Sequence, residues 1–189
     1  MKLTLEQMID AGCCDGAEKY FVRDKTRSAK SLLKQSIKQG DYHDARYGLA
    51  YMMTHRQQVE WAIYCAESCL PVYENSHNSK APRAAIEAAK AWLLNPKEKN
   101  ATAAAYAAAY AAAAAAAYAA AAYAAANAAY VAAYAAYAVA AANAAAYAAA
   151  AYAAASATRA TNGANTVELL WKGYEILTVE VYTGSEGNE

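Results

Sequence analysis

The chain has 189 residues, 58% of them apolar, and its 17 basic and 17 acidic side chains leave no formal net charge. This length can bury the core of one compact domain, and the balanced charge excludes a general attraction to nucleic acid or to a membrane surface. Residues 101–160 contain 43 alanines and nine tyrosines, and Arg159 is their only charged side chain. That composition excludes an ordinary mixed-composition enzyme domain over this third of the chain.

The first twenty residues carry two helix-start signals. Thr4-x-x-Gln7 has the form of a capping box and predicts a short helix that ends near Gly12. Asp15-x-x-Glu18 predicts the start of another helix. Because this opening has no apolar run of signal-peptide length, we expect a cytoplasmic protein.

A solvated amphipathic helix is predicted over residues 28–38, with leucines and isoleucine on one side and lysines on the other. Gly40 is well placed as its C-cap, and Asp41 can cap a following helix that runs to Met52. The lysines one turn apart are Lys30, Lys34 and Lys38. They form either an anion-binding patch, together with Arg23, Lys25 and Arg27, or an exposed face balanced by the acidic tail.

Prolines mark the next two helices. An apolar stripe predicts a helix over residues 61–72, which Pro71 kinks or ends. Pro82 stands where the first turn of a helix over residues 82–94 tolerates it. Near the end of the chain, the spacing of apolar residues from Val167 to Leu177 favours a helix over a strand, because no partner strand is visible.

Alanine has the highest helix propensity, so residues 100–160 are predicted to be helical almost throughout. One continuous rod would be about 90 Å long, so we expect two or three antiparallel helices, packed on the helical half formed by residues 1–99. Asn127, Asn143 and Ser156 are the candidate turn positions. The scarcity of Leu, Ile and Phe argues against a membrane span. The prediction is a single all-α domain, a compact multi-helix bundle, with an acidic segment at 161–189.

Five residues of the alanine region share one helical face, because they are spaced by 4, 3, 4 and 3 positions. They are Tyr123, Asn127, Tyr130, Tyr134 and Tyr137. One interpretation is a seam that joins the alanine helices to the N-terminal half. The other is a cleft for a partner with flat rings or a peptide surface. The chain has seventeen tyrosines and one phenylalanine, and a buried hydroxyl without a partner costs about 1 to 3 kcal/mol, which favours phenols that meet water, one another or a ligand.

Cysteine and histidine patterns give little indication of chemistry. The four cysteines match no compact zinc motif, and Cys65 and Cys69 are interpreted as small buried side chains. The sequence has no Walker loop, no dinucleotide fingerprint and no nucleophile elbow. We therefore expect no enzymatic activity, no cofactor and no metal.

Glu67, Arg83 and Glu87 each stand among apolar neighbours. Arg83 and Glu87 are four positions apart and can pair, and Glu67 from the preceding helix could join them. The network either fixes the register of the helices or forms the charged floor of a pocket. Trp61 and Trp92 are the aromatic candidates beside it.

Two motifs carry a resemblance to a known family. They are Trp61-Ala62-x-x-Cys65-Ala66-Glu67-x-x-Leu70-Pro71 and Pro82-Arg83-x-Ala85-Ile86-Glu87, followed by the alanine-rich tail. Over about residues 50–155 the chain resembles a family of all-helical immunity proteins from bacterial toxin and immunity contexts, with relatives in phage genomes. That family often carries His and Arg in its alanine helices, where Tyr stands here. The resemblance implies a role in conflict between bacteria and their rivals or viruses.

The leading hypothesis is a non-catalytic immunity or counter-defence protein that neutralises a toxin or a host defence protein through a Tyr- and Trp-rich surface. The alternative is a phage-type sponge for a nucleotide-like signalling molecule, in which Tyr or Trp stacks on the ligand and Arg83 binds its phosphate or carboxylate. A structural helix with a flat alanine face is a third hypothesis. Nucleic acid is not an expected partner, because no aromatic residues interleave with the lysines. The sequence leaves open whether the chain assembles into a homo-oligomer.

Overall fold

The structure of the protein is a computed structural model that describes residues 2–10, 17–22, 25–75, 77–118, 134–135, 139, 143–161, 163 and 165–183. Eight α-helices account for most of these residues. They are α1 (Leu5–Asp10), α2 (Ala29–Gln39), α3 (Tyr42–Met52), α4 (His55–Glu74), α5 (Ala81–Leu94), α6 (Glu98–Tyr118), α7 (Asn143–Ala160) and α8 (Thr166–Thr183). The predicted all-α, multi-helix fold is confirmed.

A small antiparallel sheet precedes α2, and no sequence pattern indicated it. Strand β1 (Lys2–Thr4) pairs with β2 (Thr26–Ser28), so that Leu3 lies opposite Arg27. Strands of three residues are too short to show a clear alternation of apolar and polar side chains. The sheet fixes the start of the chain beside α2, where Leu3 and Tyr20 join a small second core.

Helix ends follow local chemistry in most places. The amide of Ser31 donates to the Ser28 side chain at the start of α2, and Gly40 ends that helix in the left-handed region with φ 75°. Asp41 precedes α3 as predicted but makes no capping hydrogen bond. The Asp41 carboxylate instead accepts a hydrogen bond of 2.6 Å from the Tyr20 hydroxyl and pairs with Lys19. The predicted capping role of Asp41 is therefore wrong, because a tertiary contact takes its side chain.

Pro71 does not end α4, which overturns one of the two predicted outcomes for this proline. The helix continues to Glu74, and the amide of Asn75 donates to the Pro71 carbonyl over 3.0 Å. Proline removes one backbone donor and crowds the preceding turn. On either side of this exposed proline, Leu70 and Tyr73 are buried, and their packing outweighs the lost hydrogen bond.

The alanine-rich region supplies two helices that pack on the N-terminal half. Helix α6 lies along α5, and α7 lies against α4 and α3. Small side chains face each other across these contacts, including Ala62, Ala66 and Cys69 on α4 and the run of buried alanines in α7. Small residues let helices approach closely and gain dense dispersion contacts, which compensates for the little area that each alanine buries.

The three candidate turn positions have different outcomes. Ser156 is buried inside α7 and is not a turn. A serine hydroxyl is small enough to sit between closely packed helices, so its polarity did not mark a break. Asn143 is the first residue of α7, whereas Asn127 lies outside the described residues.

One large core connects both halves of the chain, with members from α2 through to α8. Trp61 is fully buried in it, and its indole N–H donates to the Leu169 carbonyl over 2.9 Å. Gly173 of α8 lies directly over this ring. The C-terminal segment is thus a helix as preferred, and it closes the core over Trp61. Among the described residues, no helix is long and apolar enough to cross a membrane.

Candidate functional site

Four aromatic rings form a continuous row from α3 to α7 and on to residue 134. His43 and Tyr47 stack with ring centroids 4.6 Å apart, and Tyr47 meets Tyr152 edge-on at 6.1 Å. Tyr152 in turn stacks on Tyr134 at 5.6 Å with an interplanar angle of 23°. We call these four residues, His43, Tyr47, Tyr152 and Tyr134, the aromatic row.

Helical spacing explains how the row is built. His43 and Tyr47 are four residues apart on α3 and therefore stand one above the other on one face. Tyr152 projects from α7, which packs on α3. Each aromatic contact is worth about 0.5 to 1.5 kcal/mol beyond the buried area, so the row helps to hold α7 on α3.

The row also reaches the surface. Tyr152 is 47% exposed and the His43 side chain is exposed to the same extent, whereas Tyr47 and Tyr134 are half-buried. Tyrosine presents a rigid apolar ring with a polar end, the combination that protein interfaces favour. The row can therefore receive a partner with apolar or planar groups without a change in the helices.

The predicted tyrosine face is only partly visible in the structure. Tyr134 takes part in the aromatic row. Tyr123, Asn127, Tyr130 and Tyr137 lie outside the described residues. The other three members of the row were not predicted. Spacing on α3 could have indicated His43 with Tyr47, but no local signal pairs Tyr47 with Tyr152, since they are far apart in the sequence.

Trp61 is not available to a ligand, which corrects its prediction as a binding residue. Its side chain has no exposed surface, and its N–H group is occupied by the Leu169 carbonyl. Trp92 is half-buried on α5, with its ring 5.0 Å from that of His55. The two tryptophans thus lie in different surroundings, and Trp61 serves the core.

The charged residues Glu67, Arg83 and Glu87 form two separate groups, which corrects the predicted network. Arg83 does not pair with Glu87 but makes two hydrogen bonds to the Glu74 carboxylate, one of them 2.7 Å long. Lys90 bridges the other two, at 2.7 Å from Glu67 and 3.2 Å from Glu87. Glu67, Arg83 and Glu87 are exposed rather than partly buried. A surface network of this kind contributes little and does not form the floor of a pocket.

Charge pairing accounts for the pKa shifts of this network. Hydrogen bonds from Arg83 hold the pKa of the Glu74 carboxyl below its usual value, and the same contact raises the pKa of Arg83. The hydrogen bond to Glu67 raises the pKa of Lys90. The pairing thus favours the charged forms of Glu74, Arg83 and Lys90.

The lysine face of α2 is a solvated surface. Lys30, Lys34 and Lys38 are exposed. Arg27, the arginine nearest to them in sequence, is engaged elsewhere, since it donates to the Tyr20 carbonyl over 2.6 Å and to the Ser31 hydroxyl over 2.8 Å. The three lysines therefore face solvent without the help of Arg27, and Arg23 of the predicted patch lies outside the described residues.

The two described cysteines, Cys65 and Cys69, are buried, as the sequence predicted, and their thiols are unreactive at neutral pH. Burial raises the pKa of the Cys65 thiol well above its ordinary value and that of Cys69 to about 12. Neither thiol is a nucleophile at neutral pH, because only the thiolate reacts. Cys13 and Cys14 lie outside the described residues. Within the described ranges, no three residues among His, Cys, Asp and Glu come together as metal ligands.

Comparison with known proteins gives one match. No curated protein and no solved structure matches the chain. A family model matches residues 32–173, which extend from α2 to Gly173 and contain both the aromatic row and the core around Trp61. Because this match covers about three quarters of the sequence, the chain belongs to DUF6931, a family of unknown function.

Proposed function

We propose that this protein is a non-catalytic binding protein that holds a target protein on its aromatic row. The observation that carries the proposal is the surface position of stacked rings on rigid helices, with Tyr152 47% exposed at their centre. Tyrosines are enriched among the few residues that dominate the energy of protein interfaces. Rings fixed by stacking lose little conformational entropy when a partner covers them.

Two observations on the described residues favour a protein target over a small molecule. The cavity between β1, α1, α2 and α3, lined by Leu3, Met8, Asp44 and Gly48 among others, has room for about one water molecule. The nucleotide-sponge alternative needs Tyr or Trp to stack on the ligand and Arg83 to bind its phosphate or carboxylate. Trp61 is buried, and Glu74 already occupies the Arg83 guanidinium. An extended surface contact therefore suits the described residues better than an enclosed pocket.

The resemblance of residues 50–155 to immunity proteins supports a toxin or a defence protein as the target. In this proposal the protein neutralises its target by covering a functional surface. Such a role needs tight binding and no chemistry. The membership of DUF6931 is neutral on this point.

The test is affinity capture from the lysate of the native host, followed by titration of the captured protein. Wild-type protein is expected to retain one protein partner in fixed stoichiometry. Tyr152→Ala and Tyr47→Ala should each weaken its affinity at least tenfold, which corresponds to about 1.4 kcal/mol. Circular dichroism and thermal melting would show that both variants remain folded.

The matched control is Tyr106→Ala. Tyr106 is also a tyrosine of an alanine-rich helix, it is 69% exposed, and it lies on α6 outside the aromatic row. Its removal should leave the affinity unchanged. Equal affinity for wild type and Tyr152→Ala, or equal losses in Tyr106→Ala and Tyr152→Ala, would refute the proposed surface.

A further inference from the structure

Two arginines beside the aromatic row, Arg46 on α3 and Arg159 on α7, lie within electrostatic reach of each other. Arg46 stands next to Tyr47 in α3 and one turn from His43, so these three side chains share one side of the helix. Arg159 lies two turns after Tyr152 in α7 and therefore on the same face. Because α3 packs on α7 and Tyr47 meets Tyr152, both arginines belong to the junction that carries the row.

Arg46 is in an unfavourable position for a structural residue. Its Nε atom is fully buried and has no hydrogen-bond partner. Burial lowers the pKa of Arg46, and the nearby charge of Arg159 lowers it further. A buried guanidinium N–H without an acceptor and a second positive charge beside it both destabilise the fold. The Nε atom itself is out of reach of solvent, but Arg46 as a whole is only half-buried and Arg159 is exposed, so an external group could supply negative charge and acceptor oxygens to the accessible part of the pair.

The carboxylate nearest to Arg46 in sequence, Asp44 of α3, is buried, lies 3.4 Å from His43 Nδ1 and makes no ion pair with Arg46, and α7 brings no carboxylate of its own. No Asp or Glu occurs between Glu98 and Glu168, so α7 and all residues between α6 and α7 lack acidic side chains. Arg159 is the only charged side chain in residues 100–167. Among the described residues, neither Arg46 nor Arg159 takes part in an ion pair, whereas Arg83 is fully engaged by Glu74.

We infer that Arg46 and Arg159 bind an oxyanion, either a carboxylate or a phosphate group, of the ligand that covers the aromatic row. A guanidinium presents parallel N–H donors that match two oxygens of either group, and it keeps its charge at all physiological pH values. The half-buried Arg46 would fix the oxyanion, and the exposed Arg159 would close over it. The inference rests on the proposed function only for the identity of that ligand, since the oxyanion site itself is testable alone.

The test measures the thermal stability of the full chain in sodium chloride, sodium phosphate and sodium acetate at equal pH and ionic strength. A ligand that binds only the folded state raises Tm in proportion to its affinity. We expect a higher Tm in phosphate than in chloride. Acetate distinguishes the two possible ligands. A similar rise in Tm in acetate indicates that the site binds carboxylates, such as an acidic side chain of a partner. A rise in Tm in phosphate alone indicates that it binds a phosphate group.

Variants locate the site. Arg159→Ala and Arg46→Met should lose the specific rise in Tm and weaken phosphate binding at least tenfold in calorimetric titration. Arg159→Ala should also melt higher than wild type in chloride, because it relieves the repulsion of Arg46. Lys34→Ala is the matched control, since it removes one positive charge from the exposed face of α2 and should leave phosphate binding intact.

Two results would overturn the inference. One is a wild-type Tm that is the same in all three salts, and the other is a phosphate effect that survives Arg159→Ala or disappears in Lys34→Ala. Since no protein partner is present in these measurements, their failure would leave the capture experiment on Tyr152 unaffected. Conversely, loss of the aromatic surface in that experiment would not remove a phosphate effect on the arginine pair.

Discussion

Gly173 gives the most direct test of how the core is closed. A Cβ atom added at Gly173 would lie 2.7 Å from Cε2, 2.9 Å from Nε1 and 3.1 Å from Cζ2 of Trp61. Carbon atoms prefer a separation of about 3.5 to 4.0 Å, so the indole ring would have to move by roughly 1 Å. The ring is fully buried and fixed by its hydrogen bond to Leu169, so it has no space to move into.

The expected effect of Gly173→Ala is a loss of stability. Overpacking a closed core costs about 1 to 3 kcal/mol, and replacing a helical glycine by alanine returns up to about 1 kcal/mol. If the full gain of about 1 kcal/mol is returned, the net change lies between zero and a loss of about 2 kcal/mol. Urea unfolding followed by circular dichroism at 222 nm measures it, and a change of 1 kcal/mol moves Tm by about 2 to 4 °C in a chain of this size.

Gly48→Ala is the matched control, because Gly48 is also a glycine within a helix. Its added Cβ would meet Met8 Sδ at 3.2 Å, and a methionine side chain can shift by the few tenths of an ångström required. Gly48→Ala should therefore be neutral or stabilising by up to about 1 kcal/mol. If Gly173→Ala is as stable as Gly48→Ala, the close contact of α8 with Trp61 is wrong.

A double-mutant cycle with Trp61→Phe adds a second readout. The smaller ring removes the indole nitrogen and part of the surface that Gly173→Ala would strike. We expect the two changes together to cost less than their sum by at least about 0.5 kcal/mol, as for residues in contact. Strict additivity would contradict the predicted clash.

Two further predictions concern α4. Gln57 donates to the Ile176 carbonyl over 2.9 Å and accepts from the Thr54 amide over 2.9 Å in a capping box, so Gln57→Leu should cost about 1 to 3 kcal/mol in urea unfolding, and no loss would contradict the link between α4 and α8. The raised pKa values of Cys65 and Cys69, the latter about 12, mean that the unfolded chain ionises first. Stability should therefore be complete below about pH 8.5 and fall above it by about 1.4 kcal/mol per pH unit for each thiol. The variant with both cysteines replaced by alanine should show a smaller fall between pH 8 and pH 10, and an equal fall in both proteins would refute this.

The helices were predictable where a local rule decides alone. Gly40 ends α2 in the left-handed conformation that only glycine adopts readily, and Pro82 stands in the first turn of α5, where its missing donor is harmless. The same kind of rule failed at Asp41 and Pro71. Tyr20 takes the Asp41 carboxylate, and buried residues on either side of Pro71 keep α4 continuous.

The candidate site was less predictable than the fold. The spacing of tyrosines indicated an aromatic surface, and Tyr134 does stack in one. Its partners Tyr152 and Tyr47 come from separate helices, and no periodicity within one helix relates them. Arg83 and Glu87 have the spacing of a helical ion pair, yet Arg83 pairs with Glu74 on the preceding helix. Exposed ion pairs are worth little, so small differences in geometry decide between partners of nearly equal energy.

The amino-acid order alone determined that this chain is helical, because alanine propensity, caps and apolar spacing act within a few residues of each other. Only the tertiary structure decided that Trp61 is core, that four rings meet in a row, and that Arg159 lies within electrostatic reach of Arg46. Those outcomes depend on which helices approach each other. Helices made largely of alanine approach closely through many small and nearly equivalent contacts. The spacing of residues along the sequence therefore carries little information about which helices pack together.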